Sequence, residues 1–533
     1  MKSIVLSSIA QRIKNNTTNH IVFYENQTRK SKSYSEVYED AGKVITYFQE
    51  TLGLTSGKRV GIVADNSYEW IVVDVACYFM GLQTVPFHKT DFKEESMHAV
   101  FEKFELDYMI VDFSCINNHG TLQNKIFVME KIQSVIADQV KKREIDVYPF
   151  EEEETMTIVS TSGTTSESKF IEISSKPFND FMSYGIDMYG LNEKDKIIVF
   201  IPLSHYGQRI YIYGAMVIGF DIILCDIASI QITIRREKPT LLVAVPYFYE
   251  TIFNVFYEKI NQKKITRLAY DYYMKNYKHL SKRIKNIYQK KMLKPFQDVF
   301  GGNMRIMITG SAPISTELLE FYHKMDLSLY EGYGTNETGL IALSYPGCYK
   351  SGSVGKLCPN KEIKFDENGQ IFVRGDACWA REYYKFPKEE NRKVFMEDGF
   401  IATGDSGFMD EEGFIFIDGR IKEWIVLKNG KKVNPIEIEE QFEKVEHVDH
   451  VILYGDSKPY IVAMVFGNQI QEKEVKKQID LCNQSLPEYA RIKDFRIFNE
   501  KLSLENKTLN SSLKIVRKNI YSVYQDEMDM IYE

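Results

Sequence analysis

The stretch Ile158–Lys169 reads IVSTSGTTSESK, and the reading of the whole chain turns on it. Thr157, Ile158 and Val159 are β-branched and predict a strand. That strand delivers Ser160, Thr161, Ser162, Gly163, Thr164, Thr165, Ser166 and Ser168 into a loop closed by Lys169. Backbone N–H groups and hydroxyls crowd such a loop and a lysine adds full charge, so it suits the wrapping of phosphate oxygens. It is not the G-x-x-x-x-G-K-[ST] phosphate loop, because Phe170 follows Lys169. A Ser/Thr-rich surface turn has the same composition, so the phosphate reading needs support from the rest of the chain.

The totals narrow the classes. A chain of 533 residues accommodates about two to four domains and a large core. Hydrophobic residues at 44% and charged residues at 26% match a soluble globular protein. The net charge of −7 excludes a global attraction to nucleic acid. Cys77, Cys115, Cys225, Cys348, Cys358, Cys378 and Cys482 are scattered and form no C-x-x-C pair. That favours reduced thiols in a cytoplasmic setting over a zinc or redox motif. The N-terminal apolar run is too short for a signal peptide. No run of about 18 apolar residues exists, so no membrane span is expected.

Toward the N-terminus, residues 33–52 place apolar side chains near every 3.6 positions behind Ser33 and Ser35, which predicts a capped amphipathic helix. Arg59–Asp65 reads as a buried strand, Tyr68–Gly81 as an internal helix and Thr84–Phe87 as a strand. With further strands at Tyr108–Asp112 and Lys125–Met129, the alternation predicts βαβ units. Acidic Glu151–Glu154 reads as a solvated linker.

Toward the C-terminus, strands are expected at Lys196–Leu203, Asp221–Cys225, Pro239–Pro246 and Arg305–Thr309. Residues 251–296 read as helical, and Asn261–Lys294 holds eleven Lys and Arg against one acid, Asp271. That segment is either a solvated face or a dock for an acidic surface, such as a carrier protein or anionic lipid. Gly310-Ser311-Ala312 follows a strand, a helix is expected near Ser315, and Leu327–Thr338 predicts a strand and a glycine-rich turn carrying Glu337. Residues 345–418 alternate in short strands, including Glu362–Asp366, Gln370–Arg374 and Gly413–Asp418, and predict a distorted β-barrel. From about Arg420 a smaller α+β unit follows, with a strand at Trp424–Leu427, further strands near 450–455 and 460–466, and helices at Pro435–Glu446 and near 470–485.

Five stretches, in this order, resemble the adenylate-forming superfamily of acyl-CoA synthetases, aryl-CoA ligases, firefly luciferase and adenylation domains. Thr161–Thr165 with Lys169 is similar to its phosphate loop, and Tyr330–Gly339 (YEGYGTNETG) to its YGxTE turn. Asp398–Asp405 (DGFIATGD) is similar to its GFxxTGD stretch, and Gly419–Glu439 to the segment joining its two domains. Leu509–Lys518 (LNSSLKIVRK) is similar to its C-terminal catalytic-lysine motif. Pro202–Arg209 (PLSHYGQR) and Lys238–Glu250 (KPTLLVAVPYFYE) resemble the long-chain fatty acyl-CoA synthetase branch in particular.

The resemblance implies an α/β protein in which residues 1–420 form a large adenylation domain. That domain would hold two α/β subdomains and the barrel, with 421–533 a small mobile α+β lid. It implies an AMP-forming acid–thiol ligase: ATP activates a carboxylic acid, by branch a fatty acid, to an acyl-adenylate, and a thiol then takes the acyl group. ATP, Mg²⁺ and CoA, or a carrier protein's phosphopantetheine, follow as cofactors and substrates. Lys514 is implied as the residue bridging the carboxylate and the α-phosphate, and Glu337 with Thr165 or Thr164 as the Mg²⁺ site. Thr161, Ser162, Gly163, Thr164, Thr165 and Lys169 would hold phosphates, with Thr335 beside them. Gly310, Ser311 and Ala312 would wall the adenine opposite Gly332, Tyr333 and Gly334, with Tyr333 stacked on the base. Asp405 and Arg420 would bind the ribose, Lys422 would mark the hinge, Gly430 would admit a pantetheine arm, and His205 would border the acyl pocket.

The chain departs from the pattern at several points. Ser166, Ser168 and Phe170 replace Gly, Pro and Gly of the phosphate loop, Asn336 replaces Thr, Gln370 replaces Glu, and Tyr247 stands where the branch has Arg. Two alternatives therefore stay open: an acyl-AMP ligase that loads an acyl carrier protein in a biosynthetic pathway, and a non-catalytic paralogue that binds nucleotide or acyl-adenylate. A small-molecule acid is the expected partner, without nucleic acid and with peripheral membrane contact left open.

Overall fold

The computed structural model describes the chain apart from residues 1–5, 90–96, 113–119, 139–143, 162–168, 289, 291–293, 313, 377, 443–444, 504, 510–513 and 533. Ser162, Gly163, Thr164 and Thr165 therefore lie outside the described residues, as do Ser166 and Ser168. The helix expected behind Ser33 runs Tyr34–Glu50. Ser33 and Glu36 close a full capping box at its start, so two otherwise orphaned N–H groups are satisfied reciprocally.

Two sheets carry the larger part of the chain. One has six strands in the order Ile126–Val128, Tyr108–Val111, Arg59–Val63, Gln83–Phe87, Thr157–Ser160 and Phe170–Ile173. All pair in parallel except the last, which folds back antiparallel on Thr157–Ser160. The other has nine strands, and Lys196–Val199, Asp221–Leu224, Leu241–Ala244, Ile306–Gly310 and Leu329–Thr335 form its parallel centre. The helix Tyr68–Met80 is buried along its whole length. Its side chains join a core that draws on strands of both sheets, among them Val60, Ile62, Ile197 and Ile222. That explains why its sequence is apolar all round.

Several expectations need correction. The barrel over 345–418 is a row of four antiparallel strands, Glu362–Phe365, Gln370–Arg374, Ile401–Met409 and Ile415–Arg420, and among the described residues it does not close. Its distortion lies in register shifts at Gln370/Phe372 and Ser406/Gly407. The helix expected over Pro435–Glu446 ends at Glu439 and tightens into a 3-10 turn, Glu440–Phe442. The C-terminal unit also holds a strand missed in the sequence, Ile492–Phe498, parallel to Ile461–Gly467. Among the described residues no helix is long and apolar enough to cross a membrane.

One buried cation ties the two sheets together. Arg209, on the helix Tyr206–Ile218, donates from Nε to Asp74 Oδ2 at 2.9 Å, and its Nη2 also faces Asp74 Oδ1. Nη1 donates to the hydroxyl of Thr157 at 2.8 Å, and Nη2 to that of Thr84 at 3.0 Å. Tyr213 adds a hydroxyl donation to Asp74 at 2.6 Å. A charge this deeply buried is tolerated only when paired and fully hydrogen-bonded. An Asp74→Ala substitution leaves the guanidinium unpaired and should cost about 3–5 kcal/mol. The expected readout is a clear fall in the urea midpoint of the purified protein; an unchanged midpoint would contradict the network's role.

Candidate active site

The strand Thr157–Ser160 and its return Phe170–Ile173 hold the two ends of the serine–threonine loop together. Ser160 pairs with Phe170, and the Thr161 N–H donates to the Lys169 carbonyl at 2.8 Å. Phe170 is buried against Phe104, with ring centroids 4.6 Å apart. The residue that breaks the usual loop pattern is thus a core anchor for the loop's exit.

The Lys169 ammonium lies 4.4 Å from the Tyr383 ring centroid and 4.8 Å from that of Phe386. Such rings attract a cation through their electron-rich faces. Burial and the nearby Lys422 lower the Lys169 pKa, while Glu337 opposes them. Tyr383 also donates its hydroxyl to Glu337 Oε1 at 2.8 Å. One tyrosine thereby holds the loop lysine by its face and the turn carboxylate by its hydroxyl. Tyr383 sits in no recognisable motif, and only the aromatic run Tyr383-Tyr384-Lys385-Phe386 marks the place in the sequence.

The turn around Glu337 is built from its neighbours' hydroxyls. Thr335 and Thr338 bond each other's backbone N–H groups through their side chains. The Glu337 carbonyl accepts from the N–H groups of Trp379 and Ala380. Asn336, the departure from the usual threonine, donates its amide to the Ser160 carbonyl at 3.1 Å. It pins the turn to the strand that launches the loop.

Glycine is required where the adjoining strands meet. Gly310 is the register partner of Gly332, and a Cβ on Gly310 would come within 2.4 Å of the Gly332 carbonyl oxygen. A Cβ on Gly334 would meet the Gly339 carbonyl at 2.2 Å. Beside Gly310, Ser311 adopts a positive φ of 71°, and Ala312 continues the segment.

Tyr333, Asp405 and Arg420 form the next cluster. The Tyr333 hydroxyl donates to Asp405 Oδ2 at 2.8 Å, and Arg420 Nε stands 3.2 Å from Asp405 Oδ1. Burial raises the Asp405 pKa, opposed by the Arg420 charge and the Tyr333 hydrogen bond. The strand ladder sets Asp405 directly opposite Arg420. The charges of this cluster also act on Lys514, from the C-terminal unit. Burial and the repulsion of Arg420 push its ammonium down to about 8, against the attraction of Asp405.

The structure thus gathers Lys169, Glu337, Tyr333, Asp405, Arg420, Lys422 and Lys514 into one electrostatic neighbourhood. Burial works against the Arg420 charge, but Asp405, Glu423 and Glu337 raise its pKa. His205 stands at the margin, as the N-cap residue of the helix Tyr206–Ile218, its ring stacked at 6.5 Å on His88. Its neighbour Tyr206 meets Trp379 edge to face at 5.1 Å, which links this corner to the Glu337 turn. Gly430 stands in open space, with a φ of 78° and no atom within 4 Å of where a Cβ would stand. Among the described residues no group of three or more His, Cys, Asp and Glu side chains could hold a metal ion.

The fold and these clusters define an adenylate-forming architecture, and the comparisons agree. The AMP-binding enzyme family matches residues 10–384, and the AMP-binding enzyme C-terminal domain matches residues 422–533. The chain belongs to the AMP-binding enzyme family. It is 26% identical over 545 residues to a long-chain-fatty-acid–CoA ligase of Mycobacterium bovis, covering 90% of this chain and 89% of that one. It is 25% identical to long-chain-fatty-acid–CoA ligase 1 of Cavia porcellus, over 94% of this chain and 82% of that one. Among solved structures, an anthranilate CoA ligase in complex with anthranoyl-AMP shares the fold with a TM-score of 0.79 at 18% identity, over 97% of each chain. An o-succinylbenzoate coenzyme A synthetase of Bacillus subtilis, in complex with ATP and magnesium, has a TM-score of 0.72 at 18% identity, over 96% of this chain and 98% of that one.

The position of Lys514 gives a direct test. After reductive ¹³C-methylation, its amine resonance should titrate near pH 8, well below the ordinary lysine value of 10.5. An Arg420→Gln variant removes a repelling charge, so its Lys514 midpoint should move upward. A Lys514 midpoint indifferent to Arg420 would mean that the two charges do not meet.

Proposed function

We infer that the protein is an AMP-forming acid–thiol ligase that activates a fatty acid with ATP and transfers the acyl group to CoA. The observation that carries this reading is the cluster of Tyr333, Asp405 and Arg420, whose charges act on Lys514 of the C-terminal unit. Membership of the AMP-binding enzyme family and the fatty-acid–CoA ligases among the relatives support the reaction and the substrate class.

In the first half-reaction a carboxylate oxygen attacks the α-phosphorus of ATP, and the bond to pyrophosphate breaks. Two anions must approach, so positive charge has to be spread across both. Lys514 supplies it between carboxylate and α-phosphate, as a charge fixed in position before the reaction. Its lowered pKa keeps that charge at neutral pH and loses it above about 8. Lys169 and the loop Thr161–Thr165 hold the outer phosphates. Asp405 and Arg420 orient the ribose, while the glycine-lined strands at Gly310 and Gly332 let the backbone lie close to the base. In the second half-reaction a thiol sulfur bonds to the acyl carbon, the bond to AMP breaks, and the thiol proton leaves to solvent.

A magnesium ion fits this site. The carboxylate of Glu337 and the threonine hydroxyls are hard oxygen donors, and Mg²⁺ is commonly held by one or two carboxylates plus phosphates. Glu337, with Thr165 or Thr164, would hold the ion, which supplies charge neutralisation between the phosphates when bound. Tyr383 fixes the Glu337 carboxylate for that purpose.

Residues 1–420 and 421–533 act as body and lid in this reading. Lys422 follows the strand that ends at Arg420, and the turn at Gly430 replaces Lys514 for the thiol step. Cys77, Cys225, Cys348, Cys358, Cys378 and Cys482 are free and buried, which suits a reducing, cytoplasmic compartment.

ATP–pyrophosphate exchange with a panel of fatty and aromatic acids tests the reading. Exchange should require a fatty acid, and Lys514→Ala should lower it by about 10²–10³-fold, with ATP binding retained. CoA should then consume the adenylate. Consumption only by a phosphopantetheinylated carrier protein would convert the assignment to a carrier-loading ligase. ATP binding without exchange for any acid would overturn catalysis altogether.

A further inference from the structure

The basic segment noted in the sequence has no part in the chemistry, and the structure shows what its apolar residues do. The helix Lys264–Asn276 is anchored from one side: Tyr270 and Tyr273 are buried in a core that includes Phe296, Phe321 and Tyr322. Its other side is apolar as well. Ile265, Leu268 and Tyr272 follow one another at spacings of three and four, so they form one stripe. They are 84%, 60% and 55% exposed. On the short helix Lys282–Tyr288, Ile284 and Ile287 are likewise 41% and 50% exposed. A contiguous stripe of apolar side chains this open to water, rimmed by charge, marks an interaction surface.

The charge around the stripe says what that surface meets. Lys263, Lys264, Lys275, Lys278, Lys282, Arg283 and Lys290 are all exposed. Among the described residues, the one ion pair within this segment joins Arg267 to Asp271 at 2.9 Å, which uses up the segment's single acid. The protein as a whole carries −7, so this concentration of positive charge is local. Cations flanking exposed Ile, Leu and Tyr have the chemistry of a helix lying in the plane of a bilayer. Its apolar stripe enters the headgroup–acyl boundary and its lysines meet acidic headgroups.

We propose that the segment 263–290, led by Ile265, Leu268 and Tyr272, is a peripheral docking surface for anionic lipid bilayers. The proposal stands on these exposed side chains and does not depend on which acid the enzyme activates.

The test is flotation of the full-length protein with vesicles of phosphatidylcholine alone or phosphatidylcholine mixed with phosphatidylglycerol. Binding is expected to the mixed vesicles, with far less to phosphatidylcholine, and should weaken as salt is added. Neutralising Lys264, Lys275 and Lys282 to glutamine should weaken binding about fivefold for each lysine. Ile265→Ser with Leu268→Ser should weaken it about tenfold or more, and in a way that salt does not mimic. All these positions are exposed, so melting temperatures should stay unchanged, and the melts report on folding. An Ile265→Trp variant should shift its emission to the blue on the mixed vesicles, which reports insertion directly. Equal binding to both vesicle types, binding insensitive to Ile265 and Leu268, or no binding at all would overturn the proposal. Lysine-dependent capture of an acyl carrier protein without vesicle binding would replace it with a protein dock.

Discussion

The architecture rests on a single buried guanidinium. Arg209 is the point at which the helix following one sheet grips the strands of the other. Its partners are spread along the chain: Asp74 in the internal helix, Thr84 in one strand, and Thr157 in the strand that opens the serine–threonine loop. Each partner is useful only if the others are in place, because a charge left incompletely paired in such a core is strongly unfavourable. The network therefore fixes the spacing and the angle of the two sheets together. The loop emerges from one of them and the Glu337 turn from the other, so their separation is set beneath the site.

Above that network the site is a meeting of charges brought from far apart in sequence. Tyr383 is the small device that coordinates them, because a phenol offers a cation its face and a carboxylate its hydroxyl at once. Asn336 does comparable work from the other side by tying the Glu337 turn to Ser160. The substitutions that depart from the superfamily pattern are thus partly structural repairs. Phe170 gives up the freedom of a glycine and gains a place in the core. Tyr247 stacks on His450 at 6.0 Å, so it touches the C-terminal unit where the branch has an arginine.

Much of this was legible in the sequence, for identifiable reasons. The capped helix at Ser33 is a local signal, because a cap acts within a few residues, whereas the glycines at 310, 332 and 334 were legible only through the resemblance, since the carbonyls that exclude a Cβ at 310 and 334 stand on neighbouring strands. The parallel strands were legible because buried β-branched runs stand out between helices. The hairpin of His20–Glu25 and Thr28–Ser33 was missed, since its second strand, TRKSKS, is exposed at four positions and lacks an apolar pattern. The barrel was misread because alternation reports a sheet with one wet face and says nothing about closure. The Arg209 network, Tyr383 and the Tyr333–Asp405 bond depend on contacts between distant segments, which no local pattern encodes.

Asp405 and Arg420 face each other across one rung of the Ile401–Met409 and Ile415–Arg420 ladder, and the chain leaves that sheet immediately afterward. The rung is a fixed point of departure. Arg420, the last residue of the sheet, is held to a buried carboxylate, so the direction in which the chain enters the turn Ile421–Glu423 is set at Asp405.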